Sequence, residues 1–404
     1  MGYQAMVNSV NTTRCLHRSS VVVASAVALT AASLIVPVAP AHAADPITAA
    51  DQPYFTYYHL DQARAKGYTG KGVTIAMIDG PVETTALELA GASIQEKETC
   101  SINSSLASKS HGTSVASILV SPNYGVAPDA TLLAYRTGSK QDGDQPSSDC
   151  IDGSSRIKYG YAWLLNSAMN DGAQIINLSS SSTSQENELK WAIARSMAQG
   201  IIITASAGNE ATDGNATSLS QWSGVVGVSA IGIDDSRQEY SSWGQGVTTA
   251  AVGGPLAVHD YVSGQVTQVS GTSVSAPIVA GTLALARQKW PNATSNQLLQ
   301  LLVKTGLNPD HGWNQYTGYG AIDPAAMVKT DPSQFPDENP LADKGGGSSP
   351  TQSEVQQYLD GIVDPTEIVN DNSYTYRGLD ESKLTDPMNT SVTHLGTSPR
   401  YHAK

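Results

Sequence analysis

Cysteine is scarce. Three in 404 residues cannot frame a disulfide-rich miniprotein, and none stands in a CxxC or Cys/His spacing that would hold zinc. Cations are also few. Lys and Arg number 23 against 36 Asp and Glu, for a formal net charge of −13. That balance argues against nucleic acid and an anionic membrane surface as partners. Aromatic residues are only 6% of the chain, beside 36 Gly, which suits an α/β protein with many tight turns. There is no internal repeat. The G-x-S-x-G motif is absent too, and with it an esterase of another α/β fold whose residues run Ser, Asp, His.

What is present begins with a targeting signal. Arg14 and Arg18 precede an almost wholly apolar run over 21–38, and Ala41-His42-Ala43 follows as an A-x-A cleavage site. The expectation is a signal peptide over 1–43. The alternative is an uncleaved anchor, since the run is just long enough to span a bilayer. Cleavage removes Cys15 and two Arg, so the remainder is more acidic still. It keeps Cys100 and Cys150, an even pair in an exported protein, which points to a disulfide. Two free buried thiols are the alternative.

Residues 44–56 read as an extended arm and 57–66 as a short helix. The run 73–79 hardly alternates, so it reads as a strand buried on both faces. Similar runs recur at 131–135, 174–178, 201–205 and 225–231. Helical patterns fall at 158–170, 186–199, 273–290 and 295–305. Strands alternating with helices predict an α/β fold, a parallel sheet with helices on both faces. Sites in such sheets form at the carboxyl ends of strands. One domain over 44–330 is expected. Beyond it, residues 331–340 are acidic and Pro-rich, and 345–350 read as a Gly/Ser linker. Residues 351–404 are polar, with one weak helical stretch over 354–359, so 331–404 is expected to be a mostly disordered tail. It holds no apolar run for a second membrane span, so no permanent anchor is expected after signal removal.

Four positions could carry chemistry. Asp79 ends the first strand, next to Gly80. His111 opens His111-Gly112-Thr113-Ser114, at a helix entrance. Asn209 closes Ala205-Ser206-Ala207-Gly208-Asn209 at the end of another buried strand. Ser273 lies in Gly271-Thr272-Ser273-Val274-Ser275-Ala276-Pro277, where Thr272 and Ser273 suit a helix N-cap and Pro277 falls early in the helix. Each alone can also be read as a turn, a cap or a structural histidine. Together they meet the needs of one reaction. A serine hydroxyl attacks an amide only beside a base, the base needs an orienting carboxylate, and the oxyanion needs fixed donors. The order Asp, His, Ser is that of subtilisin.

These blocks resemble those of the subtilisin-like serine proteases, the subtilases, over residues 52–330. Smaller matches add to them: Tyr124-Gly125-Val126-Ala127-Pro128, Tyr240-Ser241-Ser242-Trp243-Gly244 and Gly318-Tyr319-Gly320. The resemblance implies a peptide-bond hydrolase acting on a protein or peptide. Ser273 would be the nucleophile, His111 the general base and Asp79 its orienting partner. Asn209 and the Ser273 N–H would form the oxyanion hole. The strand over 174–180, with Leu178, Ser179, Ser180 and Ser181, would pair with an extended substrate. Ala205, Ser206, Ala207 and Gly208 would wall the pocket for the residue before the scissile bond. No cofactor is required. Subtilases often hold calcium, but no compact acidic loop marks a site here.

Three departures stand out. Gly80-Pro81 follows the aspartate where the family usually has Ser or Thr and then Gly, which puts the hydrogen bonding of Asp79 in question. Ser179-Ser180-Ser181-Ser182 replaces the usual Ser-Leu-Gly. There is also too little chain between 44 and 79 for the family's folding prodomain. The short arm resembles that of the mycosins, subtilases tied to type VII secretion, which suggests a link to a secretion system. Mycosins end in a membrane helix, which the tail here does not provide. The rival reading is a non-catalytic binding protein that kept the fold. The serine-rich wall generates one expectation: a preference for small or polar residues before the scissile bond. Profiling against a peptide library tests it, and a strong preference for Phe or Leu there would overturn it.

Overall fold

The apolar runs become strands whose two faces are both covered. In β1 (Thr74–Asp79), Ile75 and Met77 turn to one face and Ala76 and Ile78 to the other, all at 0% exposure. Side chains alternate in a strand, but with both faces dry the sequence need not. In the computed structural model, the described residues are 46–139, 142–180, 187–214, 218–308 and 312–377.

Ahead of β1 come α1 (Pro53–Tyr57) and α2 (Leu60–Ala65). After it come β2 (Ile94–Lys97), β3 (Ile102–Asn103), α3 (Leu106–Val120), β4 (Thr131–Arg136), β5 (Gln145–Pro146), α4 (Tyr161–Asn170) and β6 (Ile175–Leu178). Then follow α5 (Asn187–Gln199), β7 (Ile202–Ser206), β8 (Val225–Ile231), β9 (Val247–Val252) and the hairpin of β10 (Leu256–Asp260) and β11 (Gln265–Val269). Four helices close the order: α6 (Thr272–Lys289), α7 (Ser295–Thr305), α8 (Pro324–Lys329) and α9 (Gln352–Asp360).

Seven strands form one parallel sheet in the order β2-β4-β1-β6-β7-β8-β9. Helices α3, α6 and α7 share a core with one face, through Ile75, Met77, Val226 and Val228. Helices α4 and α5 pack on the other, against Ala76, Ile78, Ile176 and Ile203. The α/β fold expected from the sequence is thus observed. The expectations missed β2, β9 and the hairpin. β9 is Val-Thr-Thr-Ala-Ala-Val, fully buried, with its hydroxyls satisfied inside: Thr248 accepts the Gly227 N–H at 3.2 Å and Thr249 donates to the Gly320 carbonyl at 2.8 Å. The arm is partly helical rather than extended, and Tyr54 from α1 is fully buried, donating to the Tyr124 carbonyl at 2.9 Å. Cys100 and Cys150 are disulfide-bonded across 50 residues.

Residues 331–377 are folded, contrary to the disordered tail expected there. Leu341 accepts the Gly224 N–H at 2.7 Å, and the Lys344 ammonium donates to the Ser220 and Gly246 carbonyls, both at 2.7 Å. Burial pushes the Lys344 pKa down to about 7. Farther on, Tyr358, Val363 and Ile368 pack on Trp191 and Ala194 of α5. Asp371 pairs with Arg195 of α5 at 3.1 Å, with side chains 1% and 2% exposed. Its low apolar content is offset by polar contacts with the sheet domain, among them the Trp191 indole N–H to Glu367 at 2.6 Å, Asn170 Nδ2 to the Asn370 carbonyl at 2.8 Å and the Lys190–Glu354 pair at 2.9 Å. The remainder of the expected tail and the expected signal peptide lie outside the described residues. Removing one partner of a buried ion pair costs roughly 3–5 kcal/mol. Asp371→Ala is therefore expected to free the segment 351–377, read as new cleavage sites there in limited proteolysis while the sheet domain survives. An unchanged digest would mean that the pair does not hold the segment.

Candidate active site

The ends of β1 and β7 and the starts of α3 and α6 meet at one cleft of about 830 Å³, lined among others by Asp79, His111, Asn209 and Ser273. The four residues singled out from the sequence are therefore brought together, at the carboxyl ends of strands.

Asp79 is the last residue of β1 and is buried. Its Oδ1 accepts from His111 Nδ1 and from the Gly80 N–H, both at 2.7 Å. Its Oδ2 is buried and receives no hydrogen bond from the described residues. The departure at Gly80 has a steric cause. A Cβ there would run into the Ser108 carbonyl, and one at Gly112 would run into the Gly80 carbonyl. Loop and helix meet backbone to backbone, which leaves no room for the family's hydroxyl side chain.

His111 does not stand at a helix entrance, as the sequence suggested. α3 begins at Leu106, and the Ser105 hydroxyl caps it by accepting the Ser108 N–H at 3.0 Å. The imidazole is therefore carried beyond the first turn. The opening turn was missed because Ser104-Ser105-Leu106-Ala107-Ser108-Lys109 reads as a polar loop. The ring is 42% exposed toward the cleft, while Asp79 is 3% exposed. The negative charge of Asp79 raises the His111 pKa, burial opposes this, and the hydrogen bond to Asp79 adds to the rise. A raised histidine pKa adds stability that is complete below the unfolded value, about 6.5, and is lost as pH rises through the folded value.

Ser273 is the second residue of α6. The N-cap is Gly271, in extended backbone, not Thr272 or Ser273. Thr272 instead bonds sideways: its N–H and hydroxyl donate to Asn209 Oδ1 at 2.8 and 3.0 Å, and its hydroxyl accepts the Gly208 N–H at 3.1 Å. Of the amide's two ends only the oxygen can accept the Thr272 N–H, so this bond fixes the amide and leaves Nδ2 facing the other way. A Cβ at Gly271 would lie 3.2 Å from both Asn209 Nδ2 and Ser273 Oγ. Glycine thus keeps open the space between donor and hydroxyl. In the first turn of α6 the Ser273 N–H has no intrahelical acceptor, and Pro277 cannot donate to the Ser273 carbonyl.

Of the expected substrate wall, Ser179, Ser180, Ser206 and Gly208 line the cleft. Leu178 and Ala205 do not: both are 0% exposed in the core beneath the sheet. Ala207 is buried as well. β6 is paired on both sides, with β1 and β7, so a free edge begins only past Leu178. Ser181 lies outside the described residues. Among the lining residues that the sequence reading missed, two make notable polar contacts. Tyr161, at the start of α4, shares a hydrogen bond with the Ser180 hydroxyl. Asp144 accepts from the start of α3. Asp144 sits in a polar stretch and Tyr161 at the head of a mostly apolar helix, neither with a motif to mark it.

The subtilase family model matches residues 70–320. The chain belongs to the subtilase family. It is a serine endopeptidase by that membership and by its relatives. It is 28% identical over 281 residues to subtilisin DY of Bacillus licheniformis, covering 67% of this chain and 95% of the relative. It is also 28% identical over 296 residues to subtilisin E of Bacillus subtilis (strain 168), covering 67% and 71%. Among solved structures it is similar to MycP1 from the ESX-1 type VII secretion system, with 25% identity, a TM-score of 0.59, and coverage of 74% of this chain and 89% of that one. As a subtilase it shares its fold with a mycosin, as the short arm suggested. Among the described residues of this subtilase, no helix is long and apolar enough to cross a membrane. Nor does any group of three or more His, Cys, Asp or Glu among them converge as a metal site would.

The Asp79–His111 contact makes a direct prediction. Asp79→Asn removes the charge that raises the imidazole, so the His111 pKa is expected to fall, as read by NMR titration of its ring. A curve that stays in place would remove Asp79 as the cause.

Proposed function

We propose that this subtilase is an exported endopeptidase that cleaves peptide bonds with Ser273 as nucleophile, His111 as general base and then acid, and Asp79 as the carboxylate that orients and charge-balances the imidazole. The observation that carries this reading is the 2.7 Å bond from His111 Nδ1 to Asp79 in a cleft shared with Ser273 and Asn209. A carboxylate accepts, so Nδ1 carries the proton and Nε2 holds the free lone pair. Ser273 Oγ attacks the substrate carbonyl carbon as its proton passes to Nε2. The oxyanion takes hydrogen bonds from Asn209 Nδ2 and the Ser273 N–H. Collapse breaks the C–N bond, and Nε2 returns its proton to the leaving amine. Water then repeats the sequence on the acyl-enzyme. Because the base must be neutral, activity is expected to fall as pH drops through the raised His111 pKa.

Ser179 and Ser180 would hold the extended substrate, with Ser206 and Gly208 opposite. Export is supported by the signal-like residues 1–43 and by the Cys100–Cys150 disulfide. The likeness to MycP1 supports an association with secretion machinery. The test is labelling of the purified protein with a fluorophosphonate. Wild type is expected to react, and Ser273→Ala and His111→Ala are expected not to. Asn209→Ala is expected to lower kcat about 100- to 1000-fold. An unlabelled wild type would favour a non-catalytic protein that kept the fold. An unchanged Asn209→Ala rate would displace Asn209 from the oxyanion hole.

A further inference from the structure

We propose that Asp144 is a positioning residue for His111, acting through the first turn of α3. Asp144 is 5% exposed, yet it borders the cleft. Its Oδ1 accepts the N–H of Ser105, the N-cap of α3, at 2.7 Å. Its Oδ2 accepts the Ser108 hydroxyl and the Ser139 N–H, each at 2.9 Å. A buried carboxylate with three donors, at the positive end of a helix, is a strong and directional anchor.

Ser108 is where the anchor meets the site. Its hydroxyl goes to Asp144, and its carbonyl lies against Gly80, next to Asp79. His111 is three residues farther along the same helix, so the two side chains share a face. Any tilt of this turn alters the 2.7 Å bond between His111 and Asp79. The anchor is itself immobilised. Gln145 pairs with Asn103 in the β3–β5 ladder, the Ser147 N–H donates to the Ser101 carbonyl at 2.9 Å, and Cys150 is bonded to Cys100. The segment carrying Asp144 is therefore stitched to the segment that leads into α3. Asparagine cannot replace this carboxylate. It offers one acceptor oxygen, and its N–H₂ would face a donor.

The inference rests on the reading of His111 as the base. The experiment uses the full chain as wild type, Asp144→Asn and Ser108→Ala. Active sites are titrated with a fluorophosphonate, so that misfolded protein is not counted. Then kcat per titrated site, KM, the acid limb of the pH profile and Tm are measured. Asp144→Asn is expected to lower kcat per site about 10- to 100-fold with little change in KM, as a small misplacement of a catalytic group does. Ser108→Ala is expected to give a smaller fall in the same direction. A purely structural role would lower Tm and the titrated fraction only. If wild type reacts and both variants keep the wild-type kcat per site and acid limb, the positioning role is overturned. If Asp144→Asn does not fold, Ser108→Ala decides. A wild type that never reacts takes down the protease reading and this inference with it.

Discussion

The knot at Thr272 fixes where the two halves of the site stand. Helix α6 is buried on nearly every side, through residues such as Val274, Ile278, Val279 and Leu283. Burial of that kind holds a helix in its layer but says little about its slide along its own axis, because apolar contact is non-directional. Thr272 removes that freedom. Its donation to Asn209 and its acceptance from Gly208 join the start of α6 to the end of β7. Thr272 and the Gly208 N–H are buried, where hydrogen bonds are strongest, while Asn209 itself is exposed at the cleft. The same bonds orient the Asn209 amide. One set of contacts thus sets both the hydroxyl and the donor beside it.

On the other side of the cleft the constraint is close backbone approach. The loop after β1 and the body of α3 touch at Gly80 and Gly112, where no side chain fits between them. The usual hydroxyl beside the aspartate is traded for proximity. Asp79 then relies on its neighbouring Gly80 N–H and on His111 itself, with the second oxygen buried and without a partner among the described residues. The departure in the sequence is a different way of packing the same pair.

Much of this was legible in advance, for physical reasons. A strand dry on both faces is mostly apolar and hardly alternates, so β1, β4, β6, β7 and β8 announce themselves. The serine, histidine and aspartate blocks are visible because their chemistry admits few residue types. What stayed hidden depends on partners distant in sequence. β9 satisfies its threonine hydroxyls only once Gly227 and Gly320 are beside it. The segment 331–377 looks too polar to fold until Asp371 meets Arg195. Leu178 and Ala205 sit in the right blocks, yet strand alternation turns their side chains into the core, which the motif alone does not reveal.

The start of α3 shows why polar contacts matter most where geometry must be kept. Residues 106–111 are Leu-Ala-Ser-Lys-Ser-His, and Leu106 is 52% exposed. This turn buries almost no apolar surface, so at about 25 cal/mol per Å² the hydrophobic effect contributes little to holding it. The restraints on it are mostly polar: the Ser105 cap, the Asp144 bonds, the Lys109–Glu83 ion pair and the Ser110 bonds with Asp260 and the Tyr261 N–H, beside the contact with Gly80. A hydrogen bond to a charged group contributes about 1.5–3 kcal/mol and weakens steeply off its preferred angle. A few such bonds can therefore define the position of a helix end more sharply than a larger area of greasy contact. The imidazole is carried by the part of the helix that is held in this directional way, while the later turns, from Val115 onward, are left to anchor it in the core.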